Sequence, residues 1–155
     1  MRDTPDVAFK FRFKALLQQR RYQFEKAQSA LAEARLEYER VKGRRDQMAR
    51  SIEEHHRLME QEQTKGLQAA YYLTLTEYLR SLEMRLAAME TLVAQAAQVV
   101  EEKKRLMIER EKEAKMLEIL EENDKVVYRA ERLQIEQKQS DETAIIKNFA
   151  NKKSS

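Results

Sequence analysis

The stretch FKALLQQRRYQFEKAQSALAEARLEYERVKGRRDQMARSIEEHHRLM, residues 13–59, decides the fold. Within it Phe13, Leu17, Arg20, Phe24, Ala27, Leu31, Ala34, Tyr38, Val41, Arg45, Met48, Ile52, His55 and Met59 succeed one another at alternating intervals of four and three residues. Only Arg20, Arg45 and His55 are polar. A hydrophobic repeat of seven keeps one stripe of an underwound helix turned toward a partner over many turns, so this stripe reads as the seam of a long coiled coil. A second series begins at Tyr72 and runs through Leu75, Leu79, Leu82, Leu86, Met89, Val93, Ala96 and Val100. It continues more weakly through Met107, Ala114 and Leu117. Each series needs cover, and the simplest cover for each is the other.

Composition points the same way. Charged residues make up 37% of the 155-residue chain, which has two Gly, one Pro, no Trp and no Cys. That is the profile of long helices, with too little apolar sequence for a thick globular core. The expected class is all-α: a long antiparallel two-helix coiled coil, or helical hairpin, with a C-terminal helical overhang, forming one domain over residues 1–155. Asp3-Thr4-Pro5-Asp6 offers a helix start, so the first helix is expected over about residues 6–61. Gly43 lies off the seam and reads as a soft point in a continuous helix. Gly66, preceded by the polar run Gln61 to Lys65 and followed by a series in its own phase, reads as the end of the first helix, with the turn at about residues 62–67. The second helix is expected over about residues 68–148, with Asn151 to Ser155 frayed.

With the turn near Lys65, Phe13 falls level with Leu117 and the second arm overhangs by roughly 30 residues, from Glu118 to about Phe149. Glu121 and Asp124 occupy places where the seam would continue. Ile119, Leu120, Val126, Val127, Tyr128, Leu133 and Ile135 leave the overhang apolar enough to dock on another protein. Near the turn, Tyr71, Leu73 and Tyr78 lie off the stripe, either flattened on the first arm beside Leu58 and Met59 or presented to a partner. Phe9, Phe11 and Leu16 pose the same question at the open end, where covering the start of the overhang is one answer.

The formal net charge is +3, and residues 1–50 carry 13 Lys and Arg against 7 Asp and Glu. Basic and acidic residues are interleaved, as in Glu109-Arg110-Glu111-Lys112-Glu113. A nucleic-acid interface needs one sign on one face, so no nucleic-acid partner is expected. No apolar run approaches a membrane span, so no membrane insertion is expected. Phosphate-binding Gly loops, nucleophile elbows and Cys-based zinc sites lack the residues they require. Glu53 and His56 have the Glu-x-x-His spacing of di-iron bundles, but the chain's other His is the adjacent His55, so no second ligand pair exists. No catalytic residue, metal or cofactor is expected.

Three stretches carry a resemblance. They are Phe9-Lys10-Phe11-Arg12-Phe13-Lys14-Ala15-Leu16-Leu17, then Tyr78-Leu79-Arg80-Ser81-Leu82-Glu83, and Lys115-Met116-Leu117-Glu118-Ile119-Leu120 with Tyr128, Glu136-Gln137-Lys138 and Asp141-Glu142-Thr143-Ala144. Together they resemble the flagellar export protein family FliJ over nearly the whole chain. The resemblance implies a non-enzymatic antiparallel coiled coil, similar in shape to the central stalk of rotary ATPases. Its open end would enter the hexameric flagellar type III export ATPase, and its hairpin tip would meet the export-gate membrane protein. Export chaperones are a further implied partner, and the implied location is cytoplasmic, peripheral to the inner-membrane export apparatus. The resemblance assigns ATPase contact to Phe9, Phe11, Arg12, Phe13, Leu117, Leu120, Tyr128, Gln137, Asp141 and Glu142. It assigns gate contact to Tyr72, Leu75, Tyr78, Leu79 and Leu82. The stalk of a virulence-type secretion system and a structural coiled-coil tether or adaptor share this patterning.

Overall fold

A computed structural model describes residues 8–66 and 68–154. The expected helix start at Asp3 to Asp6 and the apolar Leu67 lie outside the described residues. The fold is two long helices, α1 (Lys14–Thr64) and α2 (Ala69–Lys153), paired as an antiparallel helical hairpin. Contacts gather into two units, one made by the chain up to Tyr22 and from Glu111 onward, the other by Gln23–Arg110.

In the Gln23–Arg110 unit, partner numbers on α2 rise as those on α1 fall, the signature of antiparallel packing. Ile52 packs with Leu79 and Leu82, flanked by Met48, Met59 and Leu86. Val41 shares a groove with Met89 and Ala96, and Ala27 shares one with Leu106. α1 runs unbroken through Gly43. After Thr64 the chain turns through Lys65 and Gly66, whose φ of +78° is the left-handed conformation that ends helices on glycine. The Lys65 and Gly66 amides donate to the Glu62 and Gln63 carbonyls at 3.1 and 3.3 Å, using acceptors the helix leaves open.

Every position of the first series from Phe13 to Met59 is buried or half-buried, and the α2 series is likewise covered except at Tyr72. The polar seam residues are partnered. Arg45 pairs with Asp46 at 2.9 Å. His55 Nδ1 donates to the Ser51 carbonyl at 2.9 Å, which places the proton on that nitrogen.

In the other unit the chain departs from expectation at its start. α1 begins at Lys14, not near residue 6: Ala8–Phe11 is non-helical and Arg12–Phe13 forms a turn. The cause is the period of two in Phe9-Lys10-Phe11-Arg12-Phe13. Helical geometry would send Phe9 and Phe11 to opposite faces, whereas extended chain puts alternate residues on one side. Phe11 is only 7% exposed, and the Phe9 ring lies 5.5 Å from that of Tyr128. This placement also moves the start of the overhang. Cover on α2 does not stop at Leu117, because Glu121, Asp124 and Tyr128 are half-buried. Non-helical chain can advance up to about 3.3 Å per residue against 1.5 Å in a helix, so the residues before Lys14 can reach further along α2 than a continued helix would. The exposed part of α2 starts after Arg132 and runs helical to Lys153, beyond the expected end near residue 148. Lys152 and Lys153 stand in the last turn, where the carbonyl end of the helix favours cations.

Candidate docking surfaces

The residues assigned to ATPase contact fall into two groups within the terminal unit. The first surrounds the non-helical segment before α1. Phe9, Lys10, Phe11 and Lys14 line a groove with Glu121 and Lys125 of α2, and Lys125 Nζ lies 3.4 Å from Glu121 Oε1. Phe11 and Phe13 meet edge-on at 5.9 Å, and the Arg12 guanidinium stands 4.6 Å from the Phe13 ring centroid. Phe9, Phe13, Leu117, Leu120 and Tyr128 are half-buried, while Arg12 is exposed. Phe11 is buried, which makes it a residue that holds this end together. Across the seam, Arg20 pairs with Glu113 and Arg21 with Glu118, each at 3.1 Å.

The second group, Gln137, Asp141 and Glu142, is fully exposed on α2. Asp141 lies 13 residues beyond Tyr128, about 20 Å along the helix, so the two groups are separate places on this unit. Around them Leu133, Ile135, Ile145, Ile146 and Phe149 are all more than half exposed. Ile145, Ile146 and Phe149 were not singled out from the sequence. Their signal was the spacing of Ile145 and Phe149 by one helical turn within an otherwise polar run.

Near the turn the assigned gate residues divide by burial. Leu79 and Leu82 belong to the core with Ile52, so they are not available to a partner; as first and fourth residues of the seam heptad they face α1. Leu75 is half-buried. Tyr72 and Tyr78 are exposed, with Tyr71 and Leu73 beside them. Tyr78 answers the question of cover partly in each sense. Its ring lies 4.9 Å from His55, yet 48% of the residue stays exposed. His56 Nε2 lies 3.7 Å from Glu83 Oε1, and among the described residues no group of His, Asp and Glu is arranged to hold a metal. No helix among the described residues is long and apolar enough to cross a membrane.

Exposed apolar side chains therefore gather at the last turns of α2 and at its Tyr-rich start, among other places. No curated protein and no solved structure matches the chain. A family model described as "Flagellar FliJ protein" matches residues 9–154.

Proposed function

The chain belongs to the flagellar FliJ family, whose role lies in flagellar protein export, and from that membership we propose that it is a non-enzymatic stalk of the export apparatus. Its terminal unit enters the ring of the hexameric export ATPase, and its turn end contacts the export-gate membrane protein. It works in the cytoplasm at the inner-membrane apparatus and can also escort export chaperones. The observation that carries this reading is the final stretch of α2, helical to Lys153 yet exposed from Leu133 onward, with five large apolar side chains uncovered. Such a helix is weakly stable alone and gains from a partner that surrounds it.

The mechanism is mechanical. A two-helix stalk has no six-fold symmetry, so within a six-membered ring it meets the subunits unequally and biases their nucleotide states by its differential contacts. Arg12, Gln137, Asp141 and Glu142 supply the exposed polar contacts, and Phe9 and Tyr128 the apolar edge. At the turn, Tyr71, Tyr72, Leu73 and Tyr78 supply the gate contact.

The test is the hydrolysis rate of the cognate export ATPase alone, with the full chain, and with a version ending at Arg129. That truncation keeps the Phe9–Tyr128 pair and removes the exposed helix. Stimulation by the full chain that is lost on truncation is the expected result. Equal stimulation by both forms would move the active contact away from the α2 end, and no stimulation by the full chain would leave a tether or escort role.

A further inference from the structure

The two flanks of the seam in the Gln23–Arg110 unit differ in chemistry. With Leu31 and Leu79 as first residues (a) of the heptad, the fifth positions (e) are Arg35, Lys42, Ala49 and His56 on α1, and Glu83, Glu90, Ala97 and Lys104 on α2. That flank is mostly charged and is crossed by the His56–Glu83 contact, the usual arrangement in a two-stranded coil. The seventh positions (g) of α2 begin with Tyr78 and Arg85 and from there toward Arg110 are instead apolar, at Leu92, Val99 and Leu106. In an antiparallel pair the two seventh positions share one side. Here Leu92 and Val99 line a groove with Glu37, Arg40 and Arg44, and Leu106 lines another with Lys26, Ala30, Lys103 and Arg110.

An α2 face apolar at first, fourth and seventh positions is wider than one partner helix covers; it is the face of a helix in a bundle. The exposures agree, since Val93 on the seam is 8% exposed while Leu92 and Val99 beside it are 47% and 42%. The row repeats every two turns, about 10.5 Å, which matches the ladder of another heptad helix. Its margin is basic: Lys26, Arg44 and Lys103 line it, while its acid, Glu37, is taken up by Arg40, whose Nε donates to it at 2.9 Å. Symmetric pairing of this groove with itself on a second copy would bring these cations face to face.

We propose that this groove is a docking site for an amphipathic helix of another protein, apolar at heptad spacing and flanked by acidic residues, which lies along it as a third helix. The probe is a labelled four-heptad peptide with Leu at its first and fourth positions and Glu at its fifth and seventh, followed by anisotropy as the full chain is added. A twin peptide carries Lys in place of Glu. The Glu peptide binds about tenfold or more tightly than its twin, and added salt weakens it. L92E/V99E lowers that affinity about tenfold or more, while Leu36→Glu, on the outer face where Leu36 is exposed, leaves it unchanged. Should L92E/V99E lose helicity by circular dichroism, V99Q carries the same comparison. Failure of the Glu peptide to bind, equal binding of both peptides, or equal loss in the Leu36 variant overturns the proposal. So does a dimer of the chain, seen by sedimentation, that L92E/V99E dissolves.

Discussion

Alanine at Gly43 and alanine at Gly66 are expected to move stability in opposite directions, although a Cβ at either position meets no atom within 4 Å. With packing silent in both places, the difference is purely one of backbone. Gly43 lies in the interior of α1 on an exposed face, where Gly is about 1 kcal/mol worse than Ala because its unfolded state is freer. Gly66 holds φ at +78°, where a side chain costs roughly 1–2 kcal/mol. For a chain of this size about 1 kcal/mol moves Tm by roughly 2–4 °C. G43A should therefore raise Tm by roughly 2–4 °C, and G66A should lower it by roughly 2–3 °C, because the entropy that Ala removes from the unfolded chain, about 0.4–1 kcal/mol, offsets only part of the strain and leaves about 0.8 kcal/mol at the midpoints. The two positions are 23 residues apart with no shared neighbour, so the double variant should fall near the sum of the singles. The assay is thermal unfolding followed by far-ultraviolet circular dichroism on all four proteins. A G66A protein as stable as G43A would refute the left-handed turn and with it the helix end at this point.

Ile52→Asp or Leu31→Asp places an unpaired carboxylate in a buried seam position and should cost several kcal/mol; full helicity at 37 °C would remove the seam assignment. Phe11→Ala deletes a buried ring and should cost about 3 kcal/mol, seen as faster amide exchange over residues 120–128, and unchanged exchange there would mean the extended segment is not held. Tyr78→Ala loses its contact with His55 and half a buried ring, so its cost should stay below about 2 kcal/mol. Gate binding should weaken in the same variant, and a large fall in Tm with intact gate binding would make Tyr78 a packing residue only.

The seam was legible because burial in a coiled coil follows residue spacing alone. Every position from Phe13 to Met59 picked out by the alternation of four and three is covered, including Arg20, Arg45 and His55, each of which found a partner. The hairpin turn was legible for a related reason, since a helix that loses its stripe at Gln61 to Lys65 and meets Gly has little else to do. The assigned contact residues were less so. Leu79 and Leu82 carry the resemblance near the turn, but a resemblance is indifferent to which side of a helix a residue faces, and the heptad phase puts both in the core.

What the sequence by itself determined, then, is the helical class, the two stripes and their antiparallel pairing, all of which depend on near-neighbour spacing and on the scarcity of Gly and Pro. What only the tertiary structure decided is how the chain enters α1 and how far α2 is covered. Phe9 and Phe11 can be satisfied on a helix or on an extended strand. The choice depends on the α2 surface at Glu121, Asp124 and Tyr128, more than 100 residues away. The chain is non-helical there, with Phe11 buried and the Phe9 ring against Tyr128, whereas helical geometry would send the two rings to opposite faces. The apolar flank at Leu92, Val99 and Leu106 was equally hidden until the antiparallel pairing set seventh positions beside seventh positions, because a row of residues becomes a groove only when a second helix supplies its other wall.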